Sequence, residues 1–168
     1  GTTGYLSDVI SGIDWITDRH EQFPSLKFVS LAIVAANEPS AMCPCDGIKD
    51  VEDFEYFIPF LEAVERALAE DIRLVCPAGN DGSAGYIYPP ACFDSVVAVG
   101  ASFDARYARA PAEGYYSDFD SSFIHDYDTN TDIDQLTLFS NHGMCMDLVA
   151  PGYNITAAAL GGGTRSSF

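Results

Sequence analysis

The sequence lacks the features that would place it among nucleic-acid-binding or membrane-spanning proteins. It has 8 Lys and Arg against 25 Asp and Glu, a net charge of −17 at pH 7. Because nucleic acid is bound through a basic face, this balance argues against a nucleic-acid partner. There is no run of about eighteen apolar residues, so no membrane span is predicted. The chain also lacks an initiator Met and a basic, then apolar, start. We therefore interpret it as an excised piece, in which a missing signal peptide carries little information.

A complete disulfide framework is not predicted, because the five cysteines are an odd number. Cys76 and Cys92 lie in apolar runs and are expected to be small buried hydrophobic residues. Cys43 and Cys45 form a C-x-C pair in a predicted loop. Metal binding is one interpretation of this pair, and an incidental or disulfide role carries at least equal weight.

What is present suffices for one domain with a substantial core, since 48% of the 168 residues are hydrophobic. Apolar residues at helical spacing predict one helix over residues 7–19, with Ser7 as its N-cap, and a second over 58–70, with Pro59 in its first turn. The second helix should bury one apolar stripe, formed by Leu61, Val64, Ala67 and Leu68.

Four apolar segments between and after these helices are predicted to be strands. They are residues 25–34, 73–76, 95–100 and 146–152. The first is an almost continuous apolar run, which is typical of a strand covered on both faces. The alternation of strands with helices predicts an α/β fold with a parallel sheet flanked by helices.

Two segments depart from this pattern. Residues 104–137 are polar, acidic and aromatic with little periodicity, which is typical of an insertion into the domain. The glycines at 161–163 are expected to begin a flexible tail.

The turn that follows the 73–76 strand is the most informative segment. Its sequence, Pro-Ala-Gly-Asn-Asp-Gly (77–82), has two glycines, which allow backbone to come close to a ligand. Asn80 lies at the carboxyl end of a predicted strand, where open α/β sheets place their ligands. There its amide could donate a hydrogen bond to an oxyanion. Alternatively, Asn80 only tolerates a left-handed turn conformation.

Five segments taken together resemble the subtilisin-like serine proteases, the subtilase family. Their order and spacing carry the resemblance, which extends over nearly the whole chain. The segments are FVSLA (28–32), VCPAGN (75–80), YPPA (88–91) with SVVAVGA (95–101), FSNHG (139–143) and DLVAPG (147–152).

The resemblance implies a three-layer subtilisin-like architecture and a role for particular residues. Asn80 would be the oxyanion-hole amide. The residues implied to line the pocket for the substrate side chain, and to pair with an extended polypeptide, are Ser30, Leu31, Ala32, Ala78 and Gly79. Ala32 stands where the family has Gly, which we expect to narrow the pocket. Asp81 at the rim would favour basic substrate side chains.

The family's catalytic triad is not matched in this chain. The motifs that carry the Asp and the His are absent, and the Gly-Thr-Ser-x-Ala motif of the nucleophile is expected just beyond the last residue. Residues 163–165 read Gly-Thr-Arg, with Arg where Ser is needed. The resemblance therefore implies the central part of a secreted serine endopeptidase, incomplete at both ends, that requires the remaining segments of the same catalytic domain and no cofactor for its chemistry.

The acidic insertion contains oxygen-bearing side chains at alternate positions, as a calcium loop does. The candidate ligands are Asp126, Asp128, Asn130, Asp132 and Asp134. Thr131 stands where such a loop needs Gly, and Thr137 where it needs a bidentate Glu. We favour a solvated acidic loop, although subtilases often bind structural Ca²⁺.

Two other functions stay open at this point. A subtilase-like module could hold extended peptides without cutting them, or the chain could be a calcium-stabilised α/β domain of another kind. Upstream Asp and His motifs and a downstream Gly-Thr-Ser would favour the enzyme.

Overall fold

The protein is described by a computed structural model, which covers residues 4–34, 42–45, 55–107, 109–111, 127–129, 131–158 and 162–167. No helix in this described part is long and apolar enough to cross a membrane. The helices and strands have these bounds: α1 (Leu6–Thr17), α2 (Ile58–Ala69), β1 (Phe28–Ser30), β2 (Cys43–Pro44), β3 (Arg73–Pro77), β4 (Tyr86–Ile87), β5 (Val96–Ser102), β6 (Arg109–Pro111), β7 (Tyr127–Thr129), β8 (Leu148–Pro151), β9 (Ile155–Ala158) and β10 (Thr164–Ser167).

The centre of the fold is a four-stranded sheet in the order β1-β3-β5-β8, in which every neighbouring pair is parallel. Leu74 of β3 pairs with Val29 of β1 and with Val96 of β5. Because the strands are parallel, their carboxyl ends meet at one edge of the sheet. The α/β fold with a parallel sheet and helices is thus confirmed.

Helix α2 buries the face formed by Phe60, Ala63, Val64 and Ala67, which follow one another at helical spacing. The predicted stripe was right at Val64 and Ala67. Leu61 and Leu68 are only partly buried, because each lies one position beyond a residue of the buried face, Phe60 and Ala67 respectively.

Two local predictions were wrong. Tyr5, not Ser7, is the N-cap of α1, and no side chain caps this helix end. Strand β1 has only three residues and lies at the edge of the described sheet, with Phe28 62% exposed. From Phe28 to Val34, exposed residues alternate with partly buried ones, so in the described structure only one face of this run is covered.

The segment predicted to be a flexible tail contains a strand in its described part. Strands β9 and β10 form an antiparallel hairpin in which Thr164 pairs with Ala158 and Ser167 with Ile155. Gly162 and Gly163 lie just before β10, both at positive φ. Glycine content alone did not reveal that the residues on either side pair with each other.

Four of the five cysteines form disulfides, Cys43–Cys92 and Cys45–Cys145, and Cys76 is free and buried. Cys76 and Cys92 are both buried in the core, as expected, but Cys92 is bonded to Cys43 and is not a free hydrophobic side chain. The partner of Cys92 is Cys43, which lies 49 residues earlier in the chain. Cys43 belongs to β2, where it pairs with Ile87 of β4. Of the two interpretations of the C-x-C pair, the structure shows the disulfide role.

Candidate active site

The turn after β3 has a conformation and surroundings that only glycine fits at position 79. Gly79 has φ +115°, and a Cβ there would lie 2.4 Å from Nδ2 of Asn141 and 2.5 Å from a ring carbon of Tyr88. Gly82 has φ +64°, and a Cβ there would lie 2.5 Å from the carbonyl oxygen of Leu138. Both glycines therefore let the turn pack closely on the segment around residues 138–142.

A cleft of about 330 Å³ opens at the carboxyl ends of the four parallel strands. Its wall combines small side chains with backbone from each strand and from the turns that follow. The lining residues that the sequence predicted for the substrate pocket are Ser30, Ala32, Ala78, Gly79 and Asn80. The cleft is thus built largely where sequence reasoning expected a substrate to lie.

Leu31 differs from its two neighbours. Ser30 and Ala32 are exposed and line the cleft, whereas Leu31 packs against the hydrophobic core on the side of helix α1. This alternation follows from the extended backbone, in which successive side chains point to opposite faces. The backbone of Leu31 still donates a hydrogen bond to the carbonyl of Val75, at 2.9 Å, which ties the segment to β3.

The side chain of Asn80 is exposed at the cleft and makes no hydrogen bond with any other described residue. An unengaged amide at the carboxyl edge of a parallel sheet can donate to a ligand in the cleft. The backbone on either side of it is, in contrast, firmly held. Tyr88 donates its backbone N–H to the carbonyl of Ala78 at 2.9 Å, and Asn141 donates its own to the carbonyl of Gly79 at 3.0 Å.

Asn141 was not singled out by the sequence as a site residue, although it lies in one of the segments that carry the family resemblance. It is fully buried. Its Oδ1 accepts the backbone N–H groups of Asp81 at 2.8 Å and Ser83 at 3.0 Å, and its Nδ2 donates to the carbonyl of Ala78 at 3.3 Å. The sequence offered only one signal for this role, an amide side chain within the Phe-Ser-Asn-His-Gly turn at 139–143.

Asp81 lies beside the cleft but not in its lining. Its carboxylate accepts a hydrogen bond from Nδ2 of Asn141 at 3.3 Å and also contacts the phenol of Tyr88. Burial, and then the nearby Asp81 carboxylate, raise the pKa of Tyr88 to about 12. The phenol is thus held protonated, as a donor toward Asp81, at any ordinary pH.

The cleft offers no reactive thiol. Cys76 lines it but is 1% exposed, and burial raises the pKa of its thiol to about 12. Only a thiolate is a strong nucleophile, so at neutral pH this side chain acts as a small apolar group.

The described histidines are engaged elsewhere. His20 pairs with Glu70, with 3.0 Å between Nε2 and the carboxylate, and His142 contacts the carbonyl of Ser140 through Nδ1 at 3.2 Å. His125 lies outside the described residues. In the described part, neither histidine meets a serine hydroxyl.

The predicted calcium ligands are only partly described. Asp126 and Asn130 lie outside the described residues, and for Asp128 only the backbone, in β7, is described. Asp132 pairs with Arg106 through its Oδ1 at 2.6 Å, and Asp134 adopts a positive φ of 65°.

The neighbours of these acidic residues differ from those of a calcium loop. Thr131 is buried and accepts the backbone N–H of Tyr107 at 2.8 Å, while Ile133, between Asp132 and Asp134, is 58% exposed. Among the described residues there is no group of three His, Cys, Asp or Glu side chains placed to hold a metal ion. Calcium binding at this segment stays a prediction.

The fold and cleft define a class of α/β protein in which a parallel sheet presents a groove with a free amide at its carboxyl edge. The chain belongs to the subtilase family, whose model matches residues 3–167. It is 27% identical over 93% of its length to the "Extracellular serine proteinase" of Thermus sp. (strain Rt41A), and 25% identical over 95% to "Subtilisin-like serine protease Cla h 9.0101" of Davidiella tassiana.

Solved structures agree on the fold. "S41 Psychrophilic Protease" is similar with a TM-score of 0.60 and 17% identity, over 99% of this chain and 45% of that one. "Sphericase" is similar with a TM-score of 0.56 and 16% identity, over 98% of this chain and 44% of that one. The chain spans about a quarter of the length of the curated relatives, 26% and 24% of the two named above.

Proposed function

We propose that this chain forms the substrate groove and the oxyanion-stabilising part of a serine endopeptidase, which cleaves peptide bonds through an acyl-enzyme. One observation carries the proposal: Asn80 lines the cleft with an exposed amide that no described residue engages. A donor fixed in a cleft and not paired in the resting protein is what a developing oxyanion requires. The triad Asp, His and Ser are proposed to come from segments outside this chain.

The groove suits an extended polypeptide. Ser30 and Ala32 present exposed backbone and small side chains on one wall, and Ala78 and Gly79 form another. A peptide can add to such a segment as a further strand, so that main-chain hydrogen bonds hold it while one pocket receives a side chain. Ala32 in place of Gly adds a methyl group to the wall, which we expect to narrow the pocket.

An extracellular location is part of the proposal. The two disulfides are of a kind that persists in oxidising compartments, and the Thermus relative is named as extracellular. The proposed chemistry needs no cofactor. A structural Ca²⁺ at the acidic segment remains a separate proposal, which calorimetry with and without a chelator would test.

The test is Asn80→Ala in the full-length protein, assayed on a peptide substrate. We expect kcat to fall by about 10²–10³-fold with a much smaller change in KM, because the amide acts mainly in the transition state. Gln22→Ala is the matched control, since Gln22 is another exposed amide, in the 3-10 turn His20–Gln22. An unchanged kcat for Asn80→Ala would contradict the proposal.

A second candidate is a peptide-binding module that does not cleave. It is favoured by one observation: residues of this chain alone form a cleft that would hold an extended peptide. The two candidates differ in whether the full-length protein carries a reactive serine.

A further inference from the structure

Asn141 reaches across from its own turn to the turn that carries Asn80. It is 0% exposed, so its amide is removed from water and depends on protein partners. An amide side chain offers two N–H donors and two acceptor lone pairs. All four are used: Oδ1 accepts from the N–H groups of Asp81 and Ser83, and Nδ2 donates to the carbonyl of Ala78 and to the carboxylate of Asp81.

These contacts bracket Asn80. One of them holds Ala78, two residues before it, and the others hold Asp81 and Ser83, which follow it. The backbone N–H of Asn141 also donates to the carbonyl of Gly79 at 3.0 Å. The side chain of Asn80 itself has no hydrogen bond with the described residues, so the backbone of the turn sets the position and direction of its Cα–Cβ bond.

The packing beneath the turn adds to this constraint. A Cβ on Gly79 would lie only 2.4 Å from Nδ2 of Asn141, so the amide packs directly against the backbone of the turn. A donor in an oxyanion hole must be held within about 0.5 Å of its working position. A buried amide with all its hydrogen bonds satisfied is a rigid means of holding it.

We propose that Asn141 is a positioning residue, which fixes the direction of the Asn80 amide toward the oxyanion. This inference rests on the proposed function of Asn80. A merely structural role for Asn141 would lower stability and leave the rate per folded molecule unchanged. A positioning role lowers kcat, and it does so only while Asn80 is present to be positioned.

The test is a double-mutant cycle in the full-length protein with Asn80→Ala, Asn141→Ala and the double variant, each rate normalised to the folded fraction. We expect Asn141→Ala to lower kcat by roughly 10- to 100-fold with little change in KM, since a displacement of about 1 Å at a catalytic group has this effect. In the Asn80→Ala background the same change should lower kcat by less than about threefold.

Thr137→Val is the matched control, because Thr137 is also buried nearby and its hydroxyl has no hydrogen-bond partner among the described residues. It should leave kcat unchanged. If Asn141→Ala does not fold, Asn141→Ser replaces it in the cycle, since Ser is polar and adds no charge beside the carboxylate of Asp81.

The outcomes separate the two proposals. If Asn80→Ala leaves kcat unchanged, the proposed function fails. If Asn80→Ala lowers kcat but Asn141 variants do not, or if the two losses simply multiply, Asn80 remains an oxyanion donor and the positioning role is overturned.

Discussion

At the scale of single residues, Gly79 and Asn141 explain each other. The sequence suggested that glycine in this turn lets backbone approach a ligand. The structure shows a close approach on the other side, to Asn141 and Tyr88 beneath the turn. The glycine therefore allows the turn to pack closely on Asn141, while the side chain of the adjacent Asn80 is exposed at the cleft and has no hydrogen bond with the described residues.

The predicted role of Asp81 in selecting basic substrate side chains has not been tested, but the partners of its carboxylate in the structure argue for a structural role instead. Because it contacts Asn141 and Tyr88 and does not line the cleft, we expect Asp81→Ser in the full-length protein to leave the ratio of kcat/KM for Lys and Phe substrates unchanged. It should instead lower stability by about 1–3 kcal/mol, through loss of buried hydrogen bonds. A marked shift of preference away from Lys would restore the original interpretation.

Among the elements, the short strand β2 begins with Cys43, and Cys45 follows directly after its last residue. Cys43 joins it to the turn before β5, and Cys45 joins it to the segment before β8 through Cys145, 100 residues later. The sulfur of Cys45 lies where a Cβ of Gly143 would stand, so this crosslink packs directly on the FSNHG turn. The disulfide thereby connects the scaffold of Asn141 to a distant part of the chain.

Replacing both cysteines of this crosslink tests its contribution. We expect Cys45→Ser with Cys145→Ser to lower the free energy of unfolding by about 2–5 kcal/mol, because closing a long loop removes much entropy from the unfolded chain. Urea denaturation of the full-length protein measures this, and Cys76→Ser controls for the loss of a buried sulfur without a crosslink. Equal effects of the double and the control variants would contradict a stabilising crosslink.

At the scale of the whole molecule, the described sheet has apolar side chains exposed at both of its edges. Phe28 of β1 is 62% exposed, and Leu148 and Val149 of β8 are 48% and 40% exposed. Apolar side chains exposed on the edge strands of a sheet provide surface against which another segment can pack. This agrees with a chain that covers less than half of the solved structures it resembles, and it supports the proposal that further segments complete the domain.

A serine-directed fluorophosphonate tests this proposal and also separates the enzyme from the binding module. We expect no labelling of the 168-residue chain alone and stoichiometric labelling of the full-length protein, since the nucleophile is proposed to lie outside this chain. Labelling of the chain alone would show that it contains the nucleophile. Absence of labelling in a folded full-length protein that still binds peptides would favour the module.

Most of the fold could be predicted from local patterns. The two helices, the four parallel strands and the turn at 77–82 follow from apolar periodicity and from glycine and proline positions. The hairpin of β9 and β10 could not, because its strands read Ile-Thr-Ala-Ala and Thr-Arg-Ser-Ser and have no alternation of apolar and polar residues. The extent of β1 could not either, because it depends on which neighbouring strands are present.

Motif order and the positions of strand ends were enough to predict the family, the parallel α/β sheet and a cleft that includes Asn80, Ser30 and Ala32. The disulfide pairing and the contacts of Asn141 with the turn at 77–82 became visible only in the folded chain. Both depend on contacts between residues that are 49 to 100 positions apart in the sequence, and no local pattern specifies such contacts.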